Sequence, residues 1–322
     1  MTNDAGPIVQ ARLHDGMFLP VVDVTNPVFR IDESPASLDR LRAAIVASVS
    51  RPAVARADTI GPIPDLLQRM FASQAQYLDG LTTYLLKIGA DNLPAQFDTE
   101  IERRLASSPN AVALRIRLQQ LSRLMAKELK YAPPSTPLRL LAIGGGTAIE
   151  ALNALIILKG DCGNPIRDVA VDVLDIEDTG ILLGKAALAA LCETKGPLAG
   201  ITATMTFVPY SWDQPSSLAS ALHDWNIRGE YVLGSSEGAL FEYGSDRAVI
   251  ASLLLLREAG AIPIAGSVIR DDATGQAMVA RSPFPLKARG LRNLELLVKA
   301  AGYRISDAVE GVASDQFLLK AD

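Results

Sequence analysis

The stretch Leu138-Arg-Leu-Leu-Ala-Ile-Gly-Gly-Gly-Thr-Ala-Ile-Glu-Ala-Leu152 decides the fold. From Leu138 to Ile143 the residues are apolar apart from Arg139, a run of the length and composition of a buried strand. Gly144, Gly145 and Gly146 follow at once, and apolar residues then recur at helical spacing. A strand, a tight glycine turn and a helix start make a corner where a ligand can approach bare backbone. The free N–H groups opening the helix favour an electron-rich partner there.

On the carboxy-terminal side, strand and helix patterns alternate, as in a parallel sheet covered on both faces. The expected strands are Leu138–Ile143, Asp168–Leu174, Ile201–Val208, Tyr231–Leu233 and Ile262–Val268. Helices are expected around Thr147–Lys159, Thr179–Leu191, Ser217–Trp225 and Asp246–Ala259, the last capped by Ser245 or Asp246 and stopped by Gly260. The tail departs from alternation: after a helix Leu291–Ala301, Tyr303–Val309 and Gln316–Leu319 read as a hairpin that adds an antiparallel strand.

On the amino-terminal side, Ala132-Pro-Pro-Ser-Thr-Pro137 is a stiff linker that no helix crosses, and it sets the expected boundary. Residues 1–132 form a helical cap, and 133–322 form the α/β domain. The cap opens with an extended arm or short strand, Phe18–Pro27. Helices follow from Ser37, over about 64–88, around Glu100–Leu105 and over Pro109–Leu129. The helix over 64–88 is equally suited to pairing with a second copy, giving a homodimer, and to filling its own domain.

Bulk properties narrow the function classes. The 322 residues carry a formal net charge of −5, which argues against nucleic acid or an anionic membrane as the main partner. No apolar run is long enough to span a bilayer, and the amino terminus lacks a signal-peptide pattern. Two cysteines, Cys162 and Cys192, suit free thiols in a reducing cytoplasm. Only His14 and His223 occur, far apart, so no metal site is expected. A small molecule is the expected partner.

The dinucleotide fingerprint needs a small residue where Ile149 stands. A shorter G-x-G-x-G spacing fits Gly144, Gly146 and Ala148. That spacing, with the carboxy-terminal hairpin, resembles the class I S-adenosylmethionine-dependent methyltransferases over about residues 138–320. The resemblance implies a seven-stranded, mostly parallel Rossmann-like sheet with an antiparallel last strand, and S-adenosylmethionine as cofactor.

Further residues extend it. After the second strand, Asp172 and Asp175 are both candidates for a carboxylate on the ribose hydroxyls, and Asp175 is preferred because it directly precedes the helix, as the family's acid does. After the third, Trp212 and Asp213 match the family's adenine-packing and adenine-amino positions. After the fourth, the loop Gly234–Asp246 brings Ser235, Ser236, Glu237, Glu242 and Tyr243 to the ligand edge. Ser235 is expected at the cofactor, and Ser236, Glu237, Glu242 and Tyr243 in catalysis. The departure is Ala142, where the family has an acid that helps hold the methionine ammonium. Backbone carbonyls, Glu150 or the helical domain could each supply that anchor.

Three functions are open to such a chain. The leading one is methyl transfer to a small molecule, with the cap as lid and Phe71, Tyr77 or Tyr84 as contributors to an acceptor pocket, or else as core of the bundle. The second is cyclisation of S-adenosylmethionine to azetidine-2-carboxylate and methylthioadenosine, which needs a neutral amine and so suits a missing acid at 142. The third is a non-catalytic nucleoside-binding protein, against which the polar loop from Ser235 to Tyr243 argues.

Overall fold

The computed structural model describes residues 6–49, 66, 77–162, 168–225 and 229–322. Gln10–Arg12 (β1) and Phe18–Pro20 (β2) make a small antiparallel ribbon. Seven further strands form one sheet: Leu138–Ile143 (β3), Asp168–Asp175 (β4), Thr202–Pro209 (β5), Tyr231–Ser236 (β6), Ile264–Ile269 (β7), Tyr303–Val309 (β8) and Ser314–Ala321 (β9). Their order is β5-β4-β3-β6-β7-β9-β8, and β9 alone runs antiparallel to its neighbours.

The apolar run of β3 reflects burial on both faces. Leu140 and Ala142 join one core, while Leu141 and Ile143 join another on the opposite face. From β3 the chain steps outward to β4 and β5, then returns to lay β6 on the other side of β3. That reversal leaves a crevice beyond the carboxyl ends of β3 and β6, the place where open α/β sheets take ligands.

Helices Pro35–Val49 (α1), Gly80–Ile88 (α2), Glu100–Ala106 (α3) and Pro109–Leu129 (α4) precede the sheet. Ile149–Cys162 (α5), Thr179–Cys192 (α6), Ser216–Asp224 (α7), Leu240–Tyr243 (α8), Asp246–Glu258 (α9), Ala273–Arg281 (α10) and Gly290–Ala300 (α11) lie among its strands. Ser108 caps α4 by accepting from the Ala111 N–H, with Pro109 at the first turn where its missing donor costs nothing. Leu118, Leu121 and Met125 of α4 join the same buried cluster as Leu140, Leu155 and Leu318. The amino-terminal helices therefore share a core with one face of the sheet.

Two expectations change. The helix over 64–88 does not run through its last third: residues 77–79 are non-helical and α2 starts afresh at Gly80, because the Asp79 side chain caps it by accepting from the Thr82 N–H at 2.8 Å. Phe71 and most of the rest of the helix expected over 64–88, the candidate homodimer surface, lie outside the described residues: 64, 65 and 67–76. Gly234, Ser235 and Ser236 are not loop but the end of β6, paired with Ile264, Ala265 and Gly266 of β7. The arm is strand in part, held by the buried Tyr84 hydroxyl, which donates to the Pro20 carbonyl at 2.7 Å and accepts from the Val22 N–H at 3.0 Å.

Two helices lack a counterpart among the expected elements: the short α8, within the expected loop, and α10. Gly275 in the first turn of α10 disguises it, yet a side chain there would strike the Arg270 carbonyl oxygen.

Candidate active site

The glycine corner is built for close approach. Gly144 and Gly146 have φ of +62° and +51°, a left-handed backbone that side chains resist. A Cβ on Gly144 would also run into that of Ala239. The Gly144 N–H donates to the Leu174 carbonyl at 2.7 Å and so fastens the turn to β4. Ala148, at the third position of the spacing, adopts φ +50° without glycine's freedom, a strain of about 1 kcal/mol.

Two carboxylates competed for the ribose role, and the structure separates them. Asp175 ends β4 at the corner, where its carboxylate accepts from the Gly146 N–H at 2.8 Å and the Ile176 N–H at 2.7 Å. Burial raises its pKa against the pull of those backbone donors. Asp172 lies within the strand and pairs with Arg139 at 2.5 Å, which also holds Glu230 at 2.6 Å and lies over the Trp225 ring. Asp172 is a structural ion-pair residue.

A cavity of about 360 Å³ spans the crevice, within the usual range for small-molecule sites. Gly144, Gly145, Gly146 and Asp175 line one side, with Trp212 nearby. Trp212 stacks against Tyr243 with ring centroids 6.1 Å apart, and Tyr77 meets it edge-on at 6.2 Å. Asp213 is exposed and does not line the cavity. Tyr84 is core, tied to the arm, whereas Tyr77 lines the cavity. His14 and His223 are both exposed and outside it.

The roof comes from the amino-terminal helices. Gly80 opens α2 directly over the corner. A Cβ there would come within 2.8 Å of the Gly180 Cα and 3.2 Å of the Gly146 Cα. The Gly80 N–H donates to Glu177 at 2.9 Å, joining α2 to the segment after β4.

At the inner end lies a buried lattice of charge. Lys87 of α2 meets Glu237 at 2.8 Å, and Arg117 of α4 meets Glu237 at 3.2 Å and Glu242 at 3.3 Å. Ser267 donates to Glu242 at 2.9 Å and accepts from the Gly238 N–H at 2.8 Å. Burial would raise the Glu237 pKa, but Lys87 and Arg117 hold it below the ordinary value. For Glu242 burial wins over Arg117, and its pKa is raised. Tyr243 lines the cavity, with its hydroxyl also driven up by burial.

The two loop serines part company from this lattice. Ser235 donates to the buried Glu150 carboxylate at 3.0 Å. The Ser236 hydroxyl accepts from the Leu240 N–H at 3.0 Å, at the start of α8, and Ser236 does not line the cavity. Its chemistry is spent on the backbone.

Lys87, Arg117 and Ser267 had no place in the sequence reading. A signal existed for two of them. Lys87 falls three residues after Tyr84, and Arg117 three after Leu114, so each sits on the apolar stripe of its helix, where a charge needs a partner. Among the described residues no group of three or more His, Cys, Asp or Glu side chains could hold a metal ion, and no helix is long and apolar enough to cross a membrane.

No family model and no curated protein matches the chain. Several solved structures are similar to it. Magnesium protoporphyrin IX methyltransferase (ChlM) from Synechocystis PCC 6803, with bound S-adenosylhomocysteine, is 14% identical with a TM-score of 0.43, over 66% of this chain and 87% of that one. CalO1, a methyltransferase in calicheamicin biosynthesis in its S-adenosylhomocysteine-bound form, is 16% identical with a TM-score of 0.41, over 97% and 79%. The pyocyanin biosynthetic protein PhzM is 11% identical with a TM-score of 0.44, over 79% of this chain and 64% of that one. Likenesses of this size say nothing of function, which rests on the site itself. In fold, the chain is a Rossmann-like α/β protein whose seven-stranded sheet, parallel except at β9, has the form expected of the class I methyltransferases.

Proposed function

We propose that this protein is an S-adenosylmethionine-dependent enzyme that methylates a small molecule. The observation that carries the reading is convergence. The glycine corner, the Asp175 carboxylate, the Trp212 ring and the Glu150 carboxylate all line one cavity at the switch point of the sheet.

The residues present fit the cofactor. Gly144 and Gly146, whose left-handed turn exposes backbone, would take the amino-acid part. Asp175, at the strand end, would accept from the ribose hydroxyls, and Trp212 offers a flat apolar face for the adenine. When bound, the cofactor supplies an electrophilic methyl group on a sulfonium.

The chain's own work is to hold the acceptor in line, exclude water and take up a proton. Apolar side chains of the helices, such as Leu86 and Leu114, and Phe284 from the segment after α10 wall the rest of the cavity. With both histidines outside the cavity, proton uptake falls to carboxylates. Glu242 lines it and is raised by burial toward useful basicity. The division into a cap of 1–132 and a cofactor domain of 133–322 belongs to this proposal: α2 and α4 supply Lys87 and Arg117 to the cavity wall. So does work in a reducing cytoplasm, away from nucleic acid, on a chain of net charge −5.

The cyclase reading rested on a site without an acid near the amine. Glu150 in the cavity wall removes that motive. A retired nucleoside-binding protein has no use for Glu237, Glu242, Lys87 and Arg117, all buried at a cost that only mutual pairing offsets.

The test is to incubate pure protein with S-adenosylmethionine, alone and with cell extract, and follow products by mass spectrometry. S-adenosylhomocysteine formed only with extract supports a transferase. Methylthioadenosine above the uncatalysed background without extract would revive the cyclase. Failure to bind either nucleoside would overturn the cofactor assignment.

A further inference from the structure

We propose that Glu150 is the anchor for the cofactor's ammonium group, performing from α5 the task for which β3, with Ala142, has no side chain. The inference rests on the cofactor reading above and goes beyond it by naming the group that reads the amino-acid end.

Register places the two positions side by side. Ala142 pairs with Ser235 across β3 and β6, and partners in a parallel ladder direct their side chains to the same face. The Ser235 hydroxyl donates to the Glu150 carboxylate at 3.0 Å. Glu150 therefore hangs from the first turn of α5 over the strand junction beside Ala142, and it lines the cavity with Gly144, Gly145 and Gly146.

Charge accounting points the same way. The two cations of the inner lattice are committed elsewhere. Lys87, from α2, is bound to Glu237, and Arg117, from α4, is shared between Glu237 and Glu242. Glu150 accepts a single hydroxyl hydrogen bond and, among the described residues, pairs with no cation. Lys87 and Arg117 are thus spent on Glu237 and Glu242, with Arg289 also acting on Glu242, and Glu150 has no cation of its own. A carboxylate only 1% exposed and without a cation is a socket for one. Burial and the nearby Glu237 push its pKa up to about 7 against the pull of Lys87, which is the cost of waiting empty.

The experiment compares two ligands by calorimetry. S-adenosylhomocysteine carries the ammonium, and methylthioadenosine shares its nucleoside but lacks the amino-acid chain. Glu150→Gln, which keeps an acceptor for Ser235, is expected to weaken S-adenosylhomocysteine by about tenfold or more at about pH 8. Methylthioadenosine affinity should stay within about twofold, which also shows that the variant is folded. The wild type should lose S-adenosylhomocysteine affinity as pH falls through about 7, approaching roughly tenfold per pH unit. Glu150→Gln should lack that dependence. Equal affinities for S-adenosylhomocysteine in wild type and variant, or an equal loss of both ligands in the variant, would overturn the anchor while leaving the cofactor assignment standing. A wild type that binds neither ligand overturns both.

Discussion

Replacing Glu150 by glutamine is expected to make the ligand-free protein more stable above neutral pH. The side chain is 1% exposed, and its carboxyl titrates at about 7 instead of the ordinary 4.5 because burial and Glu237 oppose ionisation more than Lys87 favours it. In the unfolded chain the same carboxyl ionises near the ordinary value. Between the two values the folded protein keeps a proton that the unfolded chain has released, so stability falls as pH rises through that window. A carboxyl displaced from 4.5 to about 7 costs the folded state about 3 kcal/mol once the window is passed. Glutamine at 150 has no such window. Urea unfolding of both proteins without ligand should give free energies within about 1 kcal/mol of each other near pH 5, and a variant ahead by about 3 kcal/mol near pH 8. A difference that is flat with pH would refute the reasoning. So would one that grows as pH falls, since that is the signature of a carboxylate stabilised by ionisation. The stability gain and the expected loss of cofactor affinity would then be two faces of one charge.

Lys87→Met leaves Glu237 buried with Arg117 alone, and thermal or urea unfolding should register a loss of about 3 kcal/mol, most of it recovered when Glu237→Gln is added. The two acids of β4 should separate cleanly. Asp175→Asn is expected to weaken methylthioadenosine by about tenfold or more, whereas Asp172→Asn should leave its binding within about twofold and lower stability by about 2 kcal/mol, because Arg139 keeps Glu230. Equal losses of affinity in the two variants would contradict the assignment of the ribose carboxylate.

The sheet was legible because parallel strands buried on both faces announce themselves as apolar runs closed by turn residues. Leu138–Ile143 and Tyr303–Val309 form strands with the expected bounds. β6 runs past Leu233 because pairing with β7 makes strand of Gly234 and the two serines after it, residues whose local pattern is that of a loop. The site was legible where the chain is local. The glycine corner and the loop acids Glu237 and Glu242 lie near strand ends, and strand ends meet at the crevice. It was not legible where it depends on docking. Asp172 and Asp175 look alike until Arg139 claims one of them. Glu150 reads as an ordinary acid in the first turn of a helix, favourable to the helix dipole, until Ser235 and the cavity give it another meaning. Lys87 and Arg117 come from helices whose place over the sheet no local pattern specifies.

Gly80, Gly146 and Gly180 come from three separate stretches of the chain and touch through bare backbone, so that a Cβ on Gly180 would lie 2.8 Å from the Gly146 Cα and one on Gly80 would lie 2.8 Å from the Gly180 Cα. Gly80 and Gly180 cannot acquire even a methyl group while the other two stay where they are, and at Gly146 the left-handed backbone opposes one. The three positions are thus bound into a single heritable unit: among relatives that keep this helix seated on this turn, all three remain glycine, and a lineage that loses one is expected to have moved the helix and rebuilt the roof of its pocket.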